Sequence, residues 1–287
     1  MQAAQDIKKQ LYLRPKNLLE ATKFLSERNF KILSGGTDIY PSHVGRALPD
    51  NILDLSALAE LQDISHSDHE TRIGGAVTWT ALASANLPPA FRALQLAALQ
   101  IGSVQVQNRG TIAGNLCNAS PAADGVPPLL VLDAEVELIS LSGVRRIPLT
   151  NFIEGYRKTQ IRADEILSAI IIPKTTNDER SVFVKLGARK YQVISIVMVA
   201  ALLRRDVSGN IVEARVAVGS ASEIAQRLLA VEQAILGSAK HKKPSTLLRR
   251  EQFSSLKPID DSRGTEKYRN DVAFTLVGEA LDQAAVC

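Results

Sequence analysis

Two glycine-bearing segments hold the residue types best suited to chemistry. The first, Ile32-Leu33-Ser34-Gly35-Gly36-Thr37-Asp38-Ile39, reads as a strand that runs into a paired-glycine turn. The second, Thr111-Ile112-Ala113-Gly114-Asn115, reads as a glycine-containing loop. Consecutive backbone N–H groups in such turns can converge on one point and hold an anion. Glycine permits the φ values this needs and lets a phosphate oxygen approach with no Cβ in the way. Two such turns on separate lobes would clamp a diphosphate between them. Each is also compatible with a plain tight turn, because Gly-Gly is common punctuation. The familiar nucleotide motifs are absent: there is no G-x-x-x-x-G-K-[ST], and no G-x-G-x-x-G follows a strand.

Several single residues carry weaker signals. Asp124 stands just before a helix expected from Pro127, where it either accepts hydrogen bonds from ligand hydroxyls or caps that helix. Lys185 interrupts the apolar strand Val182-Phe183-Val184-Lys185-Leu186, so its charge points at a ligand or lies on a solvent face. Asp38 adjoins the first turn, where a carboxylate would repel a phosphate, and its side chain is expected to turn away and bond local backbone. His66 and His69 form an H-x-x-H pair in a polar, turn-like stretch with no third ligand evident, which favours a solvated loop over a metal site. Ser34 and Ser103 have no obvious histidine partner, so a hydrolase triad is disfavoured. Asn118-Ala119-Ser120 fits a glycosylation sequon, but Pro121 follows it and no export signal is seen.

The elements that must position these residues belong to an ordinary globular chain. Its 287 residues, 45% hydrophobic and 22% charged, suffice for a sizeable core and disfavour extended disorder. A net charge of +4, spread along the chain without a basic run, speaks against nucleic-acid binding. Two cysteines, Cys117 and Cys287, cannot form a disulfide framework, a zinc cage or a cysteine-ligated cluster. Met1 to Asp6 lack a signal-peptide pattern, and the longest strongly apolar run, Val193 to Leu203, is too short to span a membrane. The expectation is a soluble cytoplasmic protein.

The first sixty residues read as β-α-β: a strand over Gln10 to Leu13, a helix capped by Asn17 with Glu20 answering it, then strands at Lys31 to Leu33 and Asn51 to Leu55. From about Leu58 to Pro173 the pattern predicts strands at Thr71 to Ala76, Ala134 to Leu141 and Ile166 to Ile172. It also predicts helices at Leu87 to Ile101 and Pro127 to Leu132. The polar stretch Lys174 to Glu179 looks like a boundary. Beyond it come strands at Ser181 to Leu186 and Ile211 to Val218, and an ambiguous run at Ile194 to Leu203. Helices are expected at Ala225 to Leu236 and Tyr268 to Ala285.

Taken together, these segments resemble the FAD-binding medium subunit of the molybdenum hydroxylase family, the xanthine dehydrogenase and carbon monoxide dehydrogenase type. Ser34-Gly35-Gly36-Thr37-Asp38 resembles its first flavin loop, and Asn108-Arg109-Gly110-Thr111-Ile112-Ala113-Gly114-Asn115 its second. Ala119 to Asp124, Gly155-Tyr156-Arg157-Lys158-Thr159, Asp164 to Leu167, the Lys185 strand, Val216 to Ser220 and Asp261 to Gly264 extend the likeness over nearly the whole chain. Departures are Tyr40-Pro41-Ser42-His43 after the first loop, and Val104 where proline is common.

The resemblance implies an α+β fold: a two-lobed FAD-binding domain of vanillyl-alcohol-oxidase (PCMH) type over 1–176, with lobes of about 1–57 and 58–176. A smaller α+β domain would follow over 177–287. It implies that Ile32 to Ile39 and Thr111 to Asn115 wrap FAD, chiefly its diphosphate. Ile101 and Leu167 would add apolar contacts, Asp124 a hydroxyl acceptor and Lys185 a polar contact. It further implies an electron-transfer subunit working with an iron–sulfur small subunit that carries [2Fe–2S] clusters, a large subunit that carries the molybdenum cofactor, and an external acceptor. Two rival readings are a stand-alone flavin reductase and an assembly protein that has lost its flavin.

Overall fold

The structure, a computed structural model, describes residues 11–49 and 51–286. Met1 to Asp6, Gln10 of the expected first strand and Cys287 lie outside the described residues. The first lobe runs β1 (Leu11–Leu13), α1 (Leu18–Glu27), β2 (Lys31–Leu33), the single-turn α2 (Ile39–Ser42) and β3 (Asn51–Asp54). Its sheet is parallel, in the order β1-β3-β2. Asn17 caps α1 as expected, accepting from the Glu20 N–H at 2.8 Å. The Glu20 carboxylate in return takes the N–H of Lys16, one residue upstream of the cap. Ala21 and Leu25 then face a small core with Leu53, Leu55 and Leu61.

Tyr12 of the edge strand β1 is tied to the central strand β3 by donating to Asp54 Oδ2 at 2.6 Å. Asp54 also accepts the Ser56 N–H at 2.9 Å, which fixes the chain as it leaves β3. Burial alone would raise the Asp54 carboxyl. The Tyr12 and Ser56 hydrogen bonds, with Arg14, outweigh it and hold its pKa below the ordinary value. The Tyr12 hydroxyl is pushed up to about 12, chiefly by its bond to Asp54 and secondly by burial. The two signs are opposite. The Asp54 contribution is present above the unfolded carboxylate pKa and lost as pH falls through the lower folded one. The Tyr12 contribution is complete below pH 10 and lost as pH rises towards 12. Tyr12→Phe is therefore expected to cost about 1 kcal/mol near neutrality. The difference from wild type should be full between about pH 4 and pH 10, and should shrink as pH falls through the lowered Asp54 pKa and as it rises towards 12, as read by urea unfolding across pH.

The second lobe contains β4 (Ile64–His66), β5 (Glu70–Gly74), α3 (Trp79–Ser84), α4 (Arg92–Ala98), α5 (Val104–Arg109), α6 (Ile112–Asn118) and α7 (Val126–Val131). It continues through β6 (Glu135–Ser140), β7 (Gly143–Pro148), α8 (Leu149–Phe152), the small hairpin β8 (Ile153–Gly155) and β9 (Lys158–Thr159), and β10 (Ile166–Pro173). Its antiparallel sheet has the order β4-β5-β10-β6-β7. Val136 and Leu138 face the core, as the alternation predicts. The expected loop is confined to the exposed turn Ser67–His69, which holds His69; Ile64–His66 pairs with β5 as an edge strand, and His66 Nδ1 lies 2.9 Å from Thr71 Oγ1. Among the described residues no group of His, Cys, Asp or Glu could hold a metal. The long helix expected from Leu87 is shorter, a 3₁₀ turn at Pro89–Phe91 leading into α4.

The last part comprises β11 (Arg180–Leu186), β12 (Val197–Arg205), β13 (Ile211–Gly219), β14 (Gln226–Arg227), α9 (Leu229–Ile235) and α10 (Glu266–Val286). The four strands form an antiparallel sheet in sequence order. The ambiguous apolar run is β12, buried on both faces from Val197 to Leu203. Met198, Ala200 and Leu202 join the second-lobe core, while Val197, Val199, Ala201 and Leu203 join the core under α10. A strand covered on both sides needs no polar alternation, so periodicity cannot tell it from a buried helix. The helix expected from Ala225 begins only at Leu229, because Gln226 and Arg227 pair with β13. No helix among the described residues is long and apolar enough to cross a membrane.

Candidate functional site

The carboxyl ends of β2 and β3 open onto a cleft of about 290 Å³ between the two lobes. Ser34, Gly35 and Ser56 line it from the first lobe, and Val77, Thr78, Asn108, Arg109 and Thr111 from the second. Such a place, beyond the ends of parallel strands, is where open α/β sheets present ligand-binding backbone. Ser34, Gly35 and Thr111 are the expected site residues that line the cleft.

The first glycine segment has the properties of an anion cradle. Gly36 takes φ +72, which favours glycine. None of the N–H groups from Gly35 to Ile39 has an acceptor among the described residues. The loop lies directly on the junction between α5 and α6. A Cβ at Gly35 would overlap the Arg109 carbonyl oxygen and come within 3.0 Å of Gly110 Cα.

The second segment is not the loop its glycine suggests. It is the first turn of α6, with Thr111 as cap and its Oγ1 accepting the Gly114 N–H at 3.2 Å. Its other N–H groups are also engaged: Ile112 with Val77 O, Ala113 with Gly75 O and Asn115 with Thr111 O. This segment therefore builds the wall behind the cradle rather than a second open nest. The sequence signal that reveals it is Thr111 followed by a small, helix-compatible run. Asn115 Oδ1 is buried with no hydrogen-bond partner among the described residues.

The remaining expected residues are distributed as follows. Leu33, Ile112, Ala113 and Leu167 are buried in the lobe cores, and Ile32 and Ile101 pack against them. The Leu167 carbonyl presses on Gly75, where a Cβ would collide with it. Thr37 and Asp38 are exposed. Asp38 does not bond local backbone: it makes no cap to the single turn of α2, and its Oδ1 lies 3.6 Å from the Arg157 guanidinium.

Asp124 and Lys185 meet each other. Lys185 Nζ donates to Asp124 Oδ2 at 2.6 Å, to Gln100 O at 3.2 Å and to Val193 O at 3.3 Å, with its side chain only 4% exposed. Ser195 Oγ donates to Asp124 Oδ1 at 2.5 Å. Burial pushes the Asp124 carboxyl up, and Lys185 and Ser195 pull against it. Asp124 does not cap α7, whose capping residue is Gly125, and Lys185 does not lie on a solvent face. The pair joins α7, the segment before α5, β11 and the loop before β12.

Arg109 is the cleft residue that sequence reasoning missed. It is exposed at the cleft and has no hydrogen bond or ion pair from its guanidinium among the described residues. Asn108 beside it is oriented by Thr80, whose hydroxyl donates to Asn108 Oδ1 at 2.6 Å. The signal was its place immediately before Gly110, the backbone on which Gly35 rests. An unpaired guanidinium suits an anionic ligand. Arg109→Gln is expected to weaken binding of the cleft's ligand roughly tenfold, the loss of one charge-assisted contact. Thermal stability should stay within about 0.5 kcal/mol of wild type. Titration of the only tryptophan, Trp79, which packs against Gly110, provides the readout.

The chain matches the FAD binding domain in molybdopterin dehydrogenase over residues 5–175, and the CO dehydrogenase flavoprotein C-terminal domain over 183–284. It is 37% identical over 194 residues to the nicotinate dehydrogenase FAD-subunit of Eubacterium barkeri, covering 65% of this chain and 66% of that one. It is 30% identical to the xanthine dehydrogenase FAD-binding subunit of Escherichia coli O157:H7, covering 95% of each chain. Its fold superposes with TM-score 0.87 on carbon monoxide dehydrogenase from Hydrogenophaga pseudoflava, at 28% identity over 95% of this chain and 96% of that one. A single-turn match could arise by chance, but two adjoining domains aligned over nearly their full length do not. The chain is an oxidoreductase subunit and belongs to the family of FAD-binding medium subunits of the molybdenum hydroxylases, the xanthine and carbon monoxide dehydrogenase type.

Proposed function

We propose that the interlobe cleft holds FAD with its diphosphate on the Gly35–Ile39 loop, and that the subunit relays electrons inside a larger enzyme. The observation that carries this is the run of five N–H groups that, like the guanidinium of neighbouring Arg109, have no partner among the described residues. The residues fit such a group in three ways. Unclaimed N–H groups and a guanidinium answer a diphosphate's negative charge. Gly35 keeps the loop seated where any side chain would displace it. The orphaned Asn115 Oδ1 is an acceptor that a cofactor hydroxyl would satisfy.

When bound, FAD supplies the redox chemistry, accepting electrons from [2Fe–2S] clusters of a small subunit and releasing them to an external acceptor. The chain's own residues bind and orient. Ile32 to Ile39 form the cradle, and Thr111 to Asn115 hold the wall against which it rests. Ile101 and Leu167 contribute apolar surface. Asp124 and Lys185 act as a pair that fixes the segments around Ile101. Oxidation of the organic substrate belongs to a large subunit with the molybdenum cofactor, and the assembly works in the cytoplasm. The rival readings, a stand-alone reductase and a flavin-free assembly protein, find no separate support in the fold.

Co-purification from the source cell tests this reading. The expected result is a flavin absorption band together with two companion chains, one with iron and sulfide and one with molybdenum. A colourless chain that takes up no FAD on reconstitution would overturn it.

A further inference from the structure

We propose that Arg157, at the tip of the β8–β9 hairpin, is a positioning residue for the cradle: it neutralises Asp38 and holds the Gly35–Ile39 loop in its anion-accepting shape. This rests on the FAD reading above and adds a residue outside the cleft itself. The starting point is an electrostatic conflict. Asp38 sits within the run of unclaimed N–H groups, so its carboxylate opposes any anion held there. Its one ion pair among the described residues is with Arg157, at 3.6 Å.

The hairpin is built to deliver that charge. Arg157 takes φ +54, a left-handed conformation that costs a non-glycine residue energy, and it is held there by contacts to three parts of the molecule. Its N–H donates to Ala119 O at the end of α6, at 3.0 Å. The neighbouring Tyr156 N–H donates to Glu223 Oε1 at 3.2 Å, in the turn after β13. The guanidinium reaches the first lobe through Asp38. One turn thus touches the second lobe, the last domain and the cradle. A left-handed turn occupied by arginine, where glycine would be unstrained, indicates that the side chain itself is needed.

An exposed pair at this distance contributes little to folding, because water screens it. Its effect should appear in binding, where a carboxylate left without its partner faces an incoming anion. Arg157→Gly removes the charge and relieves the backbone, so it should fold. FAD titration of the purified full chain, followed by quenching of Trp79, is expected to show about tenfold weaker binding for Arg157→Gly, with Arg157→Lys close to wild type. In an Asp38→Asn background the same Arg157→Gly change should cost less than about threefold, since the repulsion is gone. An equal loss in both backgrounds, or no loss in Arg157→Gly, overturns the proposal while leaving FAD binding intact. Absence of saturable quenching in the wild-type chain would instead overturn the FAD reading.

Discussion

Gly35→Ala is expected to leave a folded protein that has lost nearly all affinity for FAD. The added Cβ would overlap the Arg109 carbonyl oxygen and stand 2.6 Å from its carbon, and Gly110 Cα lies 3.0 Å away. All three are backbone atoms, so no rotamer change relieves the clash. The loop must lift from the α5–α6 junction, at a cost of about 1–3 kcal/mol in stability. Lifting it moves the Gly35–Ile39 N–H groups together. Losing two charge-assisted hydrogen bonds to the diphosphate weakens binding by roughly 100-fold or more. Gly45→Ala is the matched control. Gly45 has φ +73 but no described atom within 4 Å of a Cβ, so it should lose about 1 kcal/mol of stability and no affinity. Equal affinities for the two variants would show that close approach at Gly35 has no bearing on the cofactor.

Lys185→Met is expected to be strongly destabilising. It leaves Asp124 buried beside Ser195 with no counter-charge, and it abandons the Gln100 and Val193 carbonyls. Breaking a buried pair by removing one partner costs about 3–5 kcal/mol, a fall in melting temperature of roughly 10 °C for a chain of this size. Removing both charges, Lys185→Met with Asp124→Leu, should recover most of that loss, because the desolvated carboxylate is gone. FAD affinity should fall in the single variant and return to within severalfold in the double. All three Lys185 donors already have protein acceptors, so the pair acts by fixing its surroundings. A double variant as stable as wild type but still unable to bind FAD would assign Lys185 a direct contact instead.

The order of elements was readable where one face alone is buried. Val136 and Leu138 on β6 announce their strand, and Asn17 with Glu20 announces the start of α1. Legibility failed in two physical situations. Strand β7 carries Arg145 and Arg146, which pair with Glu165 and with Glu70 and Glu137 across the sheet, so ion pairs take the place of apolar alternation. Strand β12 is apolar on both faces, and its state depends on neighbours distant in the chain.

The site was legible to a similar degree. Gly35 and Gly36 stood out because their backbone demands show in residue type. The cap at Thr111 reads in the sequence as part of a loop, since Gly114 resembles a turn residue and Thr111 a neutral one. Arg109 is marked in the sequence only by its place before Gly110, and the Asp38–Arg157 contact by nothing, because each depends on how two lobes face each other. The Lys185–Asp124 pair is the same case: both residues were singled out, and only the packing of β11 against the second lobe joins them.

The central claim is that the Gly35–Ile39 backbone receives the cofactor's diphosphate, and amide hydrogen exchange over residues 33–40 tests it most directly. Without FAD these N–H groups have no acceptors among the described residues and should exchange quickly. With FAD the same peptide should slow markedly, and riboflavin, which has no phosphate, should not slow it. Protection elsewhere in the chain, with this peptide unchanged at saturating FAD, would contradict the account.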